Sequence, residues 1–269
     1  MVSRQDMVGL QIDLDSLVES DQGRSCAITR NRLLGLLPQE IAADLIASSK
    51  TVILEKGQLL MRSGEAIEYV YFPHGGIASL IAELPDGRGI EVASIGMEGA
   101  LGVARAFFPV LAFCTVVVRV PGLATRVSAQ KLATIVDENK SVRNFFGLYS
   151  MMLAAELKDM VLCTSFHDVQ GRLSRILLQA RDHLICNTLP MTQEMLSEML
   201  GVRRTTVTAV ARSLQSDEII SCHRGTIEIR NEAALRKSAC TCYSANRTRL
   251  TDFIDESAHA FGRQRGQDH

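Results

Sequence analysis

Apolar positions along the chain follow three successive patterns. Residues 1–29 show no strong period and are expected to form a lead-in. "RNRLLGLLPQEIAADLIASSK" (Arg30–Lys50) then spaces its apolar residues at helical intervals. From there the pattern shortens to β-rich runs. These are separated by turn signals at Lys56-Gly57, Ser63-Gly64, Pro73-His74-Gly75-Gly76, Pro85-Asp86-Gly87 and Gly96. "CTVVVRV" (Cys114–Val120) reads as another strand, stopped by Pro121-Gly122, and "AQKLATIVDE" returns to helical spacing. Many short strands joined by tight turns predict an antiparallel β-roll or barrel over residues 30–138.

The third pattern is helical. Over residues 139–166, Phe146, Tyr149, Leu153, Leu157 and Met160 recur at intervals of three and four, and Leu148, Met152 and Ala155 add a second apolar line. One stripe is enough to lie on the β domain. Two predict that the helix also meets a partner, as in the seam of a coiled-coil dimer. Phe146, Tyr149, Leu153, Leu157 and Met160 are therefore the candidate dimerisation residues, burial within the chain's own domain being the alternative. "GRLSRILLQARDHL" reads as a further amphipathic helix. Residues 167–240 are expected to form a separate module, and 241–269 a C-terminal tail.

Within that module, "TQEMLSEMLGVRRTTVTAVARSL" (Thr192–Leu214) holds two helical stretches around Gly201. Leu196, Leu200, Val202, Val207 and Val210 can all point inward from two crossing helices. Ser197 is small enough for close approach, and the glycine can adopt the left-handed conformation that ends the first helix. This is a helix-turn-helix pattern. Threonine is a mediocre helix former, yet Arg203, Arg204, Thr205, Thr206 and Thr208 open the second helix. Arg204, Thr205, Thr208 and Arg212, with Ala209 between them, share one face. Guanidinium forks suit guanine edges and phosphates, while threonine hydroxyls and methyls suit phosphate oxygens and thymine methyls. Thr192 and Gln193, at the start of the first helix, are placed to touch a phosphate. "DEIISCHRGTIEIR" follows as a hairpin turning at Gly225. It makes the module a winged helix, with Arg224 at the wing tip.

Charge sharpens this reading. The whole chain has a net charge of -1. Residues 172–249 hold 12 Lys+Arg against 7 Asp+Glu, a balance of +5, and the rest of the chain carries -6. A basic module on an acidic body points to a polyanionic partner. The 46% apolar content supports a packed core. No apolar run is long enough to span a membrane, and acidic residues stand where a signal peptide would be apolar. Seven cysteines without a disulfide framework fit a reducing compartment, so the expected location is cytoplasmic.

The stretch "TQEMLSEMLGVRRTTVTAVARSLQSDEIISCHRGTIEIRNEAALRK" resembles the C-terminal domain of the Crp/Fnr superfamily of bacterial transcription regulators. "EYVYFPHGGIASLIAELPDGRGIEVASIGMEGALG" carries the resemblance more loosely in the roll, and together they cover roughly residues 30–240. The resemblance implies an α+β protein: an N-terminal double-stranded β-helix like those that bind cyclic nucleotides, a long dimerisation helix, and a C-terminal winged helix-turn-helix. It further implies a homodimer acting on a palindromic site in double-stranded DNA, with RNA polymerase as a further partner. The effector is left unknown. Arg203 departs from the family, which often has a capping serine there. Arg204-Thr205 followed by Ala209 also departs from the cyclic-AMP regulator's base-reading residues.

Nucleotide binders of this family hold the ribose with a glutamate and the phosphate with an Arg-Ser/Thr pair. Here Ala100 and Ala112–Cys114 occupy those places, so cyclic AMP is not expected to bind. Only Cys26 lies near the N-terminus, which argues against an Fnr-type iron–sulfur cluster. Cys222-His223 with Cys240-Thr241-Cys242 resembles a fragment of a zinc site, but the spacing fits no standard pattern. No metal or cofactor is therefore expected, and His74 reads as a turn residue. No catalytic motif is present, so an enzyme is not expected. The remaining rival is a cyclic-nucleotide-responsive module without a DNA-binding role.

Overall fold

The computed structural model describes residues 30–264; the expected lead-in lies outside the described residues. The first helical stretch is divided in two: α1 (Arg32–Leu36) and α2 (Gln39–Ala47). Pro38 is the cause, because it disfavours helical backbone at Leu37 and has no N–H to donate. Asn31 is fully buried and fixes this corner. Its Oδ1 accepts from Leu34 N at 3.0 Å, and its Nδ2 donates to the carbonyls of Pro73 and Gly99 at 2.8 and 2.9 Å.

The roll consists of two antiparallel sheets. One pairs β1 (Lys50–Leu54), β7 (Gly122–Ser128) and β3 (Tyr69–Pro73) in that order. The other runs β2 (Leu59–Met61), β6 (Thr115–Val120), β4 (Ile77–Glu83) and β5 (Gly89–Ile95). Leu54, Leu80, Ile95, Val116 and Val118 fill the space between them. Gly76 and Gly122 stand where the chain crosses itself: a Cβ on Gly122 would lie 2.3 Å from the Gly75 carbonyl oxygen. Helix α3 (Ala129–Glu138) closes the roll and leads into α4 (Lys140–Phe166), which Asn139 caps by accepting from Val142 N.

The winged-helix module comprises α5 (Val169–Leu184), β8 (Thr188–Leu189), α6 (Gln193–Leu200), α7 (Arg204–Ser216), β9 (Ile220–His223), β10 (Thr226–Ile229) and α8 (Glu232–Ser238). Leu177, Leu178, Leu196, Val207 and Leu214 form its core, and Ile77 and Val120 of the roll join the same cluster.

The expected tail is instead a helix, α9 (Cys242–Gln264), lying along α4. Phe253 and Phe261 each stack 5.4 Å from Phe145, and Phe253 lies 6.2 Å from Tyr149. Arg249 donates to Asp159 at 2.7 Å, and Tyr243 to Asp182 at 2.8 Å. This helix also corrects the dimerisation residues. Phe146 and Tyr149 are fully buried inside their own chain, and Met160 is buried beside Cys163 and Cys242. Leu153 and Leu157 lean on the core of the roll. The C-terminal helix covers Phe145 and Tyr149 of α4, and Met152 packs against the same cluster. What α4 leaves uncovered is a different line, Leu148, Met151, Ala154, Val161 and Leu162, ending at Phe166. Among the described residues no helix is long and apolar enough to cross a membrane.

Candidate nucleic-acid interface and sensory cavity

Gly201 ends α6 at φ 65°, ψ 35°, and its N–H reaches back toward the carbonyls of Ser197 and Glu198. Leu196, Leu200 and Val207 are buried between the crossing helices, and Val202 and Val210 are partly so. Thr192 caps α6 by accepting from Met195 N at 3.1 Å. Arg203 sits at the N-cap of α7 with no side-chain cap bond, because a guanidinium has no acceptor to offer. Its side chain is therefore free to extend outward.

Arg203, Arg204, Thr205, Ala209 and Arg212 are exposed on α7, and Thr206 is half-buried. Thr208 does not stand free on that face. It is half-buried, with its hydroxyl 2.7 Å from Gln193 Oε1 and 3.0 Å from the Arg204 carbonyl oxygen, so it joins the two helices. Arg204 Nε lies 3.6 Å from Glu194 Oε2, an exposed pair that orients the guanidinium at little energetic gain. The wing turns at Arg224-Gly225, where Gly225 has φ 83°. Between wing and helices runs one groove, onto which Thr192, Gln193, Arg204 and Arg224 all open. Four residues from three sequence segments thus share a single concave surface, whose charged lining is Arg204, Arg224 and Glu194.

A second cavity, of about 210 Å³, lies between the roll and α4. Its walls include Leu80, Ala100, Ala112, Cys114, Val116, Tyr149 and Leu153, and none of its lining residues is charged. Tyr149 closes one end: its hydroxyl accepts from Ala100 N at 2.8 Å and donates to the Ala100 carbonyl at 2.9 Å. Burial pushes that phenol above its usual range. Arg105 sits on the short 3₁₀ turn Val103–Ala106 and does not line this cavity.

The comparisons with known proteins agree with both regions. A family model described as a Crp-like helix-turn-helix domain matches residues 171–238, and one described as a cyclic nucleotide-binding domain matches residues 51–139. The chain belongs to the Crp/Fnr superfamily of DNA-binding transcription regulators. The cAMP-activated global transcriptional regulator CRP of Pasteurella multocida (strain Pm70) is 23% identical over 180 residues, which are 63% of this chain and 85% of that protein. FixK2 from Bradyrhizobium japonicum superposes with a TM-score of 0.63 at 17% identity, over 72% of this chain and 98% of its own. The c-di-GMP-responsive global regulator CLP of Xanthomonas campestris gives 0.59 at 17% identity, over 71% and 99%. At such identities the structural likeness speaks for the fold.

In this Crp/Fnr chain the winged helix is docked on the roll. Helix α6 lies against β5, and a Cβ on Gly201 would sit 3.1 Å from Ile90 Cδ1. Arg119 Nη1 of β6 is 2.7 Å from Glu198 Oε2 of α6. Deeper in the contact, His183 Nδ1 of α5 is 2.7 Å from Glu98 Oε2, and its Nε2 faces Ser94 Oγ at 3.3 Å. Gly96 makes this approach possible, since a Cβ there would lie 2.6 Å from His183 Cβ. Burial disfavours the imidazolium, but the Glu98 charge and hydrogen bond outweigh it and raise His183. Burial likewise raises the Glu98 carboxyl, but His183 and the Gly96 N–H outweigh it and hold Glu98 low. Sequence reasoning missed this pair: Glu98 and His183 are 85 residues apart, and neither stands in a motif.

His74 is a buried residue, not a free turn histidine. Its Nε2 is 2.8 Å from Thr125 Oγ1, and burial followed by the Arg30 charge lowers it to about 4. Cys222 and His223 lie on β9 of the wing. Cys240 and Cys242 lie elsewhere, beside Cys163 and His167.

Proposed function

We propose that the protein is a homodimeric, sequence-specific regulator that lays α7 of each protomer into successive major grooves of a two-fold symmetric DNA site. The observation that carries this reading is the single groove formed by Thr192, Gln193, Arg204 and Arg224, beside the exposed Arg203, Thr205 and Arg212. Arg204 and Thr205 read base edges. Arg203, Thr206 and Arg212 hold phosphates, and Thr192, Gln193 and Arg224 hold the backbone at either end of the helix. Ala209 leaves room for a base edge.

The dimer seam is the uncovered line of α4. Met151, Val161 and Phe166 are 69%, 66% and 79% exposed, and Leu148 and Leu162 are 50% and 47% exposed. Leu148, Met151 and Ala154 are three apart and Leu162 and Phe166 four apart, spacings that a knobs-into-holes seam uses. The loop carrying Phe108, Leu111 and Phe113 adds further exposed apolar surface on the roll.

The proposed domains are a sensory roll at 30–138, a dimerisation helix at 139–166 and a DNA-binding module at 167–240. Helix α9 serves as a strap across all three, through α1, α4 and α5. The uncharged cavity takes an apolar effector in place of a cyclic nucleotide, because a buried phosphodiester needs a cation that the lining does not offer. RNA polymerase is the further partner expected of a promoter-bound regulator. A module without a DNA role is disfavoured, since it has no use for the groove or the basic face.

The test is a selection from random DNA, followed by gel shifts at moderate salt, with and without cell extract. The expected result is an inverted repeat with half-sites about one helical turn apart. Binding that is weak and sequence-independent in both arms defeats the reading.

A further inference from the structure

Four metal-ligating side chains from two distant segments converge where α4 ends and α9 begins: Cys163, His167, Cys240 and Cys242. One ligand atom from each lies within 4.8 Å of all the others. Cys163 Sγ is 3.6 Å from Cys240 Sγ, and Cys242 Sγ is 3.6 Å from His167 Nδ1. A tetrahedral ion with metal–sulfur bonds of about 2.3 Å and metal–nitrogen bonds of about 2.0 Å spaces its ligand atoms about 3.5–3.8 Å apart. Both edges match that spacing. In a polynuclear iron–sulfur cluster the ligands divide among several irons, and those on different irons stand farther apart than the 4.8 Å that bounds all four here.

Charge gives an independent argument. Arg172 and Arg175 are 6% and 3% exposed, and the Nε of each has no hydrogen-bond partner. Their hydrogen bonds go to neutral groups: Arg172 to the Leu200 carbonyl, and Arg175 to Gln179 and the Met160 sulfur. Both guanidiniums lie within electrostatic reach of Cys163. Glu91 and Glu156 lie within electrostatic reach of Arg175, whereas the opposite charges that reach Arg172 are those of Cys163 and Cys240, and a buried cation short of counter-charge is costly. A divalent ion held by three thiolates and a neutral imidazole carries a net charge of -1, which offsets part of that cost.

We propose that Cys163, His167, Cys240 and Cys242 form a mononuclear tetrahedral site for a thiophilic divalent cation, zinc in the first instance. The ion clamps the winged-helix module to the end of the dimer helix. Cys163 and His167 flank the last turn of α4, and the chain bends at His167-Asp168 before α5. Cys240 already touches the far side of the bend, donating from its N–H to the Gly171 carbonyl at 3.1 Å. An ion at this point ties the start of α9 to the hinge that sets the angle of the recognition helices. Loading converts three thiols to thiolates and releases their three protons to solvent.

The test uses the full chain, reduced, incubated with zinc and dialysed. About one zinc per chain is expected. Cobalt(II) should give sulfur-to-metal charge-transfer bands and tetrahedral d–d bands that zinc then abolishes. Cys242→Ser and His167→Ala should weaken zinc retention at least tenfold, while Cys186→Ser and Cys222→Ser should retain it fully. Hydrogen exchange across residues 166–171 should slow on loading. None of these readouts uses DNA, so failure here is separate from failure of the proposed function. Wild-type protein without bound zinc or a cobalt–thiolate spectrum overturns the site, whatever the variants do. So does a stable Cys163–Cys240 disulfide in fully reduced buffer, or equal zinc retention by all four variants. Unchanged exchange at the hinge on loading overturns the clamp.

Discussion

The wing groove and the roll cavity occupy the two places where a Crp/Fnr chain is expected to meet phosphate, and they are built in opposite ways. The groove is open and gathers Arg204 and Arg224, with Arg203 and Arg212 on the adjoining helix face. The cavity lies between the roll and α4 with Tyr149 at one end, and its lining holds no charged residue. An exposed cation needs little support, because water solvates it until a phosphate arrives. A buried cation requires a permanent partner or a ligand. A roll without a phosphate arginine is spared that cost, and alanine and cysteine line the cavity instead. On the function proposed above, the same fold recognises an anion at one end and does without one at the other.

Breaking the pairing of the two recognition faces should have the largest effect. Met151→Glu with Leu162→Glu charges the uncovered line of α4. The variant should sediment as a monomer, and its affinity for a two-half-site DNA should fall about 10²-fold or more, since the second contact is no longer intramolecular. Leu153→Glu and Leu157→Glu, which face the roll, should destabilise the fold instead, as a thermal scan will show.

The next effect lies between the two regions, at the Glu98–His183 pair. His183→Ala should cost about 3 kcal/mol by leaving the Glu98 carboxylate buried without its partner. The pH dependence follows from both shifts. His183 is raised in the folded protein, so its contribution is complete below about 6.5 and fades as pH rises through the higher folded value. Glu98 is lowered, so its contribution is complete above about 4.3 and fades as pH falls through the lower folded value. Stability from this contact should therefore peak between those limits in the wild type, and the peak should flatten in the variant. Glu156 of α4, Glu91 of β5 and Asp182 of α5 face the same cluster. Glu91 and Glu156 are pushed up to about 7, each chiefly by burial. Urea melts across pH 4–9 measure the result, and an unchanged profile removes the pair from the docking argument.

Within the groove, Arg204→Ala should cost about 1–3 kcal/mol and relax preference at one position per half-site. A selected motif that does not change would place the reading face elsewhere on α7. Arg212→Ala should weaken binding to all sequences alike and reduce the salt slope by about one unit. The smallest effect belongs to the cavity. Cyclic AMP at about a thousandfold above a micromolar dissociation constant would stabilise a true binder by about 4 kcal/mol. Here no shift in Tm is expected, and a saturable calorimetric signal would reverse the comparison.

The helix-turn-helix and wing were legible because their signals are local: Gly201 at a helix end, arginines beyond it, and Arg224-Gly225 between alternating strands. The strands of the roll were legible for the same reason, through their turn residues. The direction of each stripe on α4 was not. A spacing of three and four says that a helix has an apolar face; it does not say what covers it. Phe253, Ile254, Ser257 and Phe261 recur at helical spacing and could have disclosed α9, whose burial of Phe145 and Tyr149 leaves Met151 and Leu162 as the exposed apolar line.

The sequence by itself determined the family, the order of roll, helix and winged helix, and the chemistry of the recognition face, because neighbouring residues specify those. Only the tertiary structure decided which line of α4 is free, that Glu98 meets His183, and that Cys163 and His167 meet Cys240 and Cys242. Each of these joins groups more than seventy residues apart. Chain closure over such lengths leaves no periodic trace, since it is the packing of whole elements that selects the partner.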